Sequence, residues 1–242
     1  MLVYQRKYNV ETVVSAACKA VNECGDTLNI PYKYDEAVYF DDQVKKKFLP
    51  RIVGRSPEKK DNLEITVAAA LYSMRQIKDN NITFVSERVY MTEDLIFNID
   101  YYSYCKSVCV APVYAYNYFI KPGTLSTTYR AHRTEINLLQ YELLKEKLTN
   151  AGILEDCKYR LYCQYFIKIK GSISQENIAI SGFSKREAIK NIKEICNVPL
   201  YQRMIAEFPK TNNLGFKQNF FLFLVKNKWA IILYLLIPLM TR

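Results

Sequence analysis

The apolar positions change their spacing several times along the chain, and each change predicts an element. Residues 4–11 read as the end of a helix. Thr12-Val13-Val14-Ser15-Ala16-Ala17 is β-branched or small without alternation, the pattern of a strand buried on both faces. Residues 22–40 hold Gly25-Asp26 and Pro31 ahead of a β-prone Ala37-Val38-Tyr39-Phe40, which predicts a loop or hairpin excursion. Asp41-Asp42 reads as an acidic helix start, with the helix running to Leu49 and stopped by Pro50. Residues 51–62 form a polar loop containing Ser56-Pro57. From Leu63 to Lys78, apolar residues at 65, 67, 68, 71, 72 and 74 predict a core helix ended by Asp79-Asn80-Asn81. Ile82 to Val85 reads as a strand. Asp94 to Cys105 reads as a helix with Leu95, Ile96, Ile99 and Tyr102 on one face. Val108 to Ala111 and Val113 to Ile120 then predict two short strands around Pro112.

From Ala131 onward the pattern turns helical. Ile136, Leu139, Leu143 and Leu148 form a stripe that ends near Gly152, a C-terminal glycine signal. Tyr159 to Ile169 predicts a second helix with Tyr162, Phe166 and Ile169 inward, and Ser184-Lys185-Arg186-Glu187 is a capping box opening a third. The tail carries two apolar runs, Phe220 to Val225 and Trp229 to Met240, separated by Lys226-Asn227-Lys228. Neither run reaches the roughly 20 residues needed to cross a bilayer. A segment lying in the membrane interface, a C-terminal helix packed on the protein, and a single span that buries two lysines all remain open; lysines beside Trp229 and continuous aliphatics favour the interface. The expected fold class is α/β. Residues 1–128 form an α/β lobe, 129–218 a mostly α-helical lobe, and 219–242 an apolar, basic segment.

Composition narrows the function classes. Only 7 of 242 residues are glycine and no Gly-rich phosphate loop occurs, which argues against P-loop and dinucleotide enzymes. Seven cysteines at spacings unlike zinc pairs, with one histidine, leave little from which to build a Cys/His metal site, and reduced thiols in the cytoplasm are the simplest account. The N-terminus lacks the apolar core of a signal peptide. The net charge of +10 is unevenly placed: residues 1–120 balance 15 Lys+Arg against 15 Asp+Glu, whereas residues 121–242 hold 19 against 9. A basic half suits nucleic acid, an anionic membrane face or a phosphorylated ligand. No RNP, zinc-finger or helix-turn-helix pattern supports a nucleic-acid partner, and the apolar tail favours an anionic membrane surface. Asp35, Glu36, Asp41 and Asp42 read as solvated turn and helix-start residues rather than metal ligands. His132 reads as structural or solvent-exposed.

The stretch with chemical content is Ser86 to Asn98. Thr92 is a candidate N-cap, so Glu93 and Asp94 fall in the first turn of the helix that follows. There the two carboxylates complement the helix dipole. The same position also suits a general base aimed out of a cleft, and the two roles are compatible.

The ordered set Glu93-Asp94-Leu95-Ile96-Phe97-Asn98, Tyr114-Ala115-Tyr116 and Gly123-Thr124-Leu125-Ser126 gives residues 84–126 a likeness to a known family. The segment resembles the second half of the catalytic domain of family-2 glycosyltransferases (the GT-A fold), in particular bacterial capsular and exopolysaccharide enzymes. The resemblance implies a partial GT-A, Rossmann-like lobe ahead of the helical lobe. It implies inverting transfer of a sugar from a nucleotide-sugar donor to a glycan or lipid-linked acceptor, in the cytoplasm at the inner face of the membrane. Asp94 would be the base that deprotonates the acceptor hydroxyl, and Glu93 a supporting carboxylate. Lys121, Thr124, Ser126 and Arg130 would lie near the leaving diphosphate. Many relatives follow Tyr-x-Tyr with Arg where this chain has Asn117, so Lys121 or Arg130 would take that place.

The other departure is larger. The family's opening strand, ending Pro-x-(Tyr/Phe)-Asn, its nucleotide-binding half and its Asp-x-Asp metal motif have no counterpart here, and residues 2–17 resemble the helix and strand that follow that motif. The chain thus reads as the carboxyl half of an enzyme, with a separate N-terminal half as partner. The divalent metal (Mg or Mn) expected of the intact enzyme lacks its ligands, and the chain alone is expected to bind donor poorly and turn over little. The competing expectation is a non-enzymatic, membrane-peripheral interaction module built on the basic lobe and the tail.

Overall fold

The computed structural model describes residues 1–21, 27–28, 34–63, 66–119, 129–177 and 181–240. Its sheet is built around β1 (Thr12–Val21), which runs parallel to β5 (Ser107–Phe119) from Thr12 opposite Val108 to Ser15 opposite Ala111. β3 (Ala37–Phe40) lies antiparallel on the far side of β5. The other edge of β1 carries two short antiparallel strands, β2 (Thr27–Leu28) and β4 (Ala70–Leu71). The architecture is therefore mixed α/β with a five-stranded mixed sheet. The absence of alternation in β1 has its cause in burial on both sides. Val14 and Ala16 face the main core, while Val13 joins Val10, Cys109 and Ala111 in a smaller cluster beneath α1 (Leu2–Tyr8).

Several sequence expectations are corrected. β5 is one strand where two were expected. Its register against β1 shifts between Ser15 and Ala17, beside Pro112, which has no N–H for the ladder. The Ser15 hydroxyl serves the irregularity by donating to the Val113 carbonyl and accepting from the Ala115 N–H. Pro50 does not stop its helix. A π-helical turn, Val44–Phe48, leads into α2 (Leu49–Val53), and Pro50 sits in the first turn of α2, where a missing N–H is harmless. The helix ends at Gly54. A Cβ there would lie 2.4 Å from the Arg160 carbonyl oxygen, so only glycine fits.

The core helix expected from Leu63 to Lys78 is a 3₁₀ turn (Val67–Ala69), β4 and a short α3 (Met74–Asp79), whose N-cap Ser73 accepts from the Gln76 N–H. The apolar residues of this run serve a sheet edge and the face of α4 (Glu93–Tyr104): Tyr72 meets Phe97 and Tyr101 edge to face. Ile82 to Val85 forms no strand. Ile82 is buried and the Phe84 ring stacks on Phe97 at 4.2 Å, so this lead-in packs as a loop against α4.

After residue 128 come α5 (Arg133–Asn150), α6 (Leu154–Ser174), α7 (Lys185–Cys196), α8 (Pro199–Glu207), α9 (Phe216–Lys226) and α10 (Ala230–Met240). The capping box at Ser184 and Glu187 is formed. On α6, Tyr162, Phe166 and Ile169 point inward. On α5 the expected stripe is rotated. Leu139 is 51% exposed, while Asn137 and Gln140 turn in to meet Ser172 and Lys168 of α6 at 3.2 and 3.0 Å. One buried cluster runs from Val14 to Ile237, so the sheet and the helices share a core.

The polar joint between these parts is Arg160. It grips both carboxylate oxygens of Asp61 at 2.9 Å and the Gly54 carbonyl at 2.8 Å, with both side chains of the pair about 15% exposed. Burial alone would raise the Asp61 pKa. The Arg160 pair and a hydrogen bond from the Ser56 N–H outweigh it and hold the carboxyl below the usual aspartate range. Arg160→Met leaves a buried carboxylate alone and is expected to cost about 3–5 kcal/mol at pH 7. Because the folded pKa is depressed, that stability is present above the unfolded value of about 3.9 and is lost as pH falls through the folded one. Urea denaturation of both proteins as a function of pH should show the gap closing below about pH 4.

Candidate functional site

The first turn of α4 places Glu93 and Asp94 at the mouth of a pocket of about 390 Å³. Thr92 occupies the N-cap position, but its hydroxyl caps nothing and is buried without a partner among the described residues. The turn is held instead by packing behind it. Asn98, fully buried, accepts a hydrogen bond from the Tyr72 hydroxyl at 2.8 Å. The Tyr101 hydroxyl accepts from the Ser73 N–H at 2.9 Å and lies 2.6 Å from the Thr12 hydroxyl. These bonds fix residues 66–73 against α4 and bring the Val67 N–H within 3.4 Å of Asp94 Oδ2.

That long bond is the one hydrogen bond seen for the Asp94 carboxylate among the described residues. Burial pushes its pKa above the ordinary aspartate value, and the Val67 N–H only partly offsets the shift. A carboxylate that mainly caps a helix or pairs with a cation is shifted the other way, as Asp61 is. Asp94 is thus half-buried, weakly bonded and open to a cavity, the condition in which a carboxylate takes up a proton most readily.

α6 lines the same pocket with Gln164, Tyr165 and Lys168, and Leu144 of α5 and Thr66 complete that lining. Lys168 donates to Gln140 Oε1, and its ammonium lies 5.8 Å from the Tyr165 ring centroid. Burial, and then the nearby Arg133 charge, pull its pKa down to about 8. Lys168 is absent from the sequence-based site. The signal that would have found it is a polar stripe at helical spacing: Arg133, Asn137 and Gln140 on α5, and Lys168 and Ser172 on α6 with Gln175 at its C-cap.

Of the other expected site residues, Lys121, Thr124 and Ser126 lie outside the described residues. Arg130 does not line the Asp94 pocket. Its backbone exchanges hydrogen bonds with the Gln175 side chain at 3.4 and 3.2 Å, and its charge bears on Arg133. His132 is exposed in a left-handed N-cap conformation, its Nδ1 3.7 Å from Glu135 Oε1. Among the described residues no three His, Cys, Asp or Glu side chains gather where they would hold a metal ion. Comparison with family models and with curated proteins finds no match to this chain.

Proposed function

We propose that the chain activates an acceptor hydroxyl for inverting transfer of a sugar from a nucleotide sugar, with Asp94 as the general base. The observation that carries this reading is the half-buried Asp94 carboxylate, raised in pKa by burial and lining an open pocket at the start of α4. An acceptor hydroxyl within hydrogen-bond reach of Asp94 would lose its proton to the carboxylate as its oxygen attacks the anomeric carbon, and the nucleoside diphosphate would leave from the opposite face. Glu93, in the same pocket, would hold a neighbouring acceptor hydroxyl. The motif's resemblance to the acceptor-side half of family-2 glycosyltransferases, with a partial GT-A lobe and a glycan or lipid-linked acceptor, supports the same chemistry. No step is routed through a metal.

The reading includes peripheral association with the inner face of the cell membrane. Among the described residues no helix is long and apolar enough to cross a membrane. α9 and α10 instead pack one face inward through Leu224, Val225, Leu233 and Ile237 and leave Phe216, Phe223, Trp229, Ile231 and Leu235 exposed, Phe216 by 83%. Lys217, Lys226 and Lys228 stand among them, and residues 208–242 contain no Asp or Glu. An aromatic and aliphatic segment whose own charged side chains are all cations suits an anionic lipid surface. This face is also what a non-enzymatic membrane module would use.

In a transfer assay with nucleotide sugars and saccharide acceptors, slow acceptor-dependent release of nucleoside diphosphate is expected, since nothing in the chain matches the family's nucleotide-binding half. Asp94→Asn should lower the rate by about 10²–10⁴-fold, and turnover unchanged in this variant rules out the base. The wild-type rate should fall as pH drops through the raised Asp94 pKa. Above that pKa the buried charge works against folding, so Asp94→Asn should be no less stable than wild type at pH 7. The protein should float with vesicles containing phosphatidylglycerol, and replacing Phe216, Phe223 and Trp229 together by serine should abolish flotation. Undiminished flotation of that variant would remove this face from the account.

A further inference from the structure

A cavity of about 500 Å³ lies between the loop after α2, one side of α6 and the first turn of α9. Four cations line it together: Arg55 and Lys60 from the loop, Lys170 from α6 and Lys217 from α9. Its lining contains no Asp or Glu. Other cations of the chain meet a carboxylate, Lys46 at Asp42, Lys147 at Asp100, Lys158 at Glu207 and Arg160 at Asp61. None of the four cavity cations does so among the described residues. Glu58 and Asp61, whose charges reach Cys163 on the cavity wall, are engaged by the Ser56 hydroxyl and the Arg160 fork. Arg55 donates to the neutral carbonyls of Ser56 and Asn213 at 3.4 and 2.9 Å, so its charge stays unmatched.

The walls are tied to one another. The Asn213 N–H donates to the Pro57 carbonyl at 2.7 Å, joining the turn ahead of α9 to the loop, and Arg160 joins that loop to α6. The rest of the lining is partly apolar. Phe166 and Phe221 contribute buried rings, and Ile167 is a lining residue that stays 60% exposed. Phe216 and Phe220, each one residue ahead of Lys217 and Phe221, stack on each other at 6.1 Å and are also exposed. Asn62 and Gln164 line both this cavity and the Asp94 pocket, so the two adjoin.

We propose that Arg55, Lys60, Lys170 and Lys217 form a site for a phosphate group, and that the bare apolar surface beside it receives the hydrocarbon of a lipid phosphate. A phosphate supplies the charge and the acceptor oxygens that four converging cations lack, with the N-terminal turn of α9 adding to the attraction. The site does not rest on the sugar-transfer reading. Taking its ligand as the phosphate of a lipid-linked acceptor does, and under that reading the acceptor would be held next to Asp94.

Calorimetric titration of the 242-residue chain with dihexanoyl phosphatidic acid, kept below its micelle concentration, tests the site. One binding event is expected, weakened about tenfold or more in the double variant Lys170→Gln, Lys217→Gln. Both lysines are exposed, so their loss leaves the fold intact. The double variant Lys78→Gln, Lys193→Gln removes the same charge from exposed positions outside the cavity and should bind like wild type. Dihexanoyl phosphatidylcholine, which carries no net charge, should bind far more weakly. Inorganic phosphate tells the sources apart: weaker binding than the lipid assigns the site to a lipid phosphate, and equal binding keeps the site and assigns it to a soluble one. No binding of phosphatidic acid, equal loss in both double variants, or equal binding of the phosphatidylcholine overturns the proposal. Asp94→Asn should bind phosphatidic acid like wild type. Sugar transfer without phosphatidic acid binding would sink this site and leave the base standing, and binding without transfer would do the reverse.

Discussion

The clamp of Arg160 on Asp61 and the Gly54 carbonyl fixes where α6 sits, and the site depends on that placement. The contact needs a glycine at 54 because the backbones of the loop and the helix touch. Eight residues further along α6, a rise of about 12 Å, Lys168 reaches the pocket at the start of α4. An ion pair with little solvent around it adds little net stability compared with a well-packed apolar contact, but it is directional. Here its direction sets the register of a helix that also lines the Asp94 pocket.

Two aspartates in one chain show how environment divides their roles. Asp61 has an arginine fork and a backbone N–H, and stays charged with a depressed pKa. Asp94 has burial, one long hydrogen bond and an open pocket, and is pushed the other way. The helix start alone favours the charged form of Asp94, and burial works against it. Such a departure from local optimality is where function is to be sought.

Much of the fold was legible where the signal is local. The unalternating Thr12-Val13-Val14 run, the inward faces of α4 and α6, and the Ser184 capping box each carry their cause within a few residues. The failures share a physical origin in tertiary context. The apolar spacing of residues 63–78 suits a helix, yet β1 offered an edge and α4 an aromatic face, and the run serves those. Ile82 to Val85 has strand propensity but pairs with no strand among the described residues; it packs on α4, where Phe84 stacks on Phe97. The α5 stripe was misread because hydrophobic periodicity assumes an apolar interior, and this interior contains Asn137, Gln140 and Lys168. At the site, Glu93 and Asp94 were readable from their position at a helix start. The opposing wall was not, since it comes from a helix more than sixty residues away in the chain.

The central claim is that burial, rather than capping, governs the Asp94 carboxylate. Titration of the carboxyl carbons by ¹³C NMR, with the Asp94 signal identified by its loss in Asp94→Asn, reads this directly. The account expects a midpoint above the ordinary aspartate value of about 3.9. A midpoint at or below that value would mark a helix-capping carboxylate and contradict it.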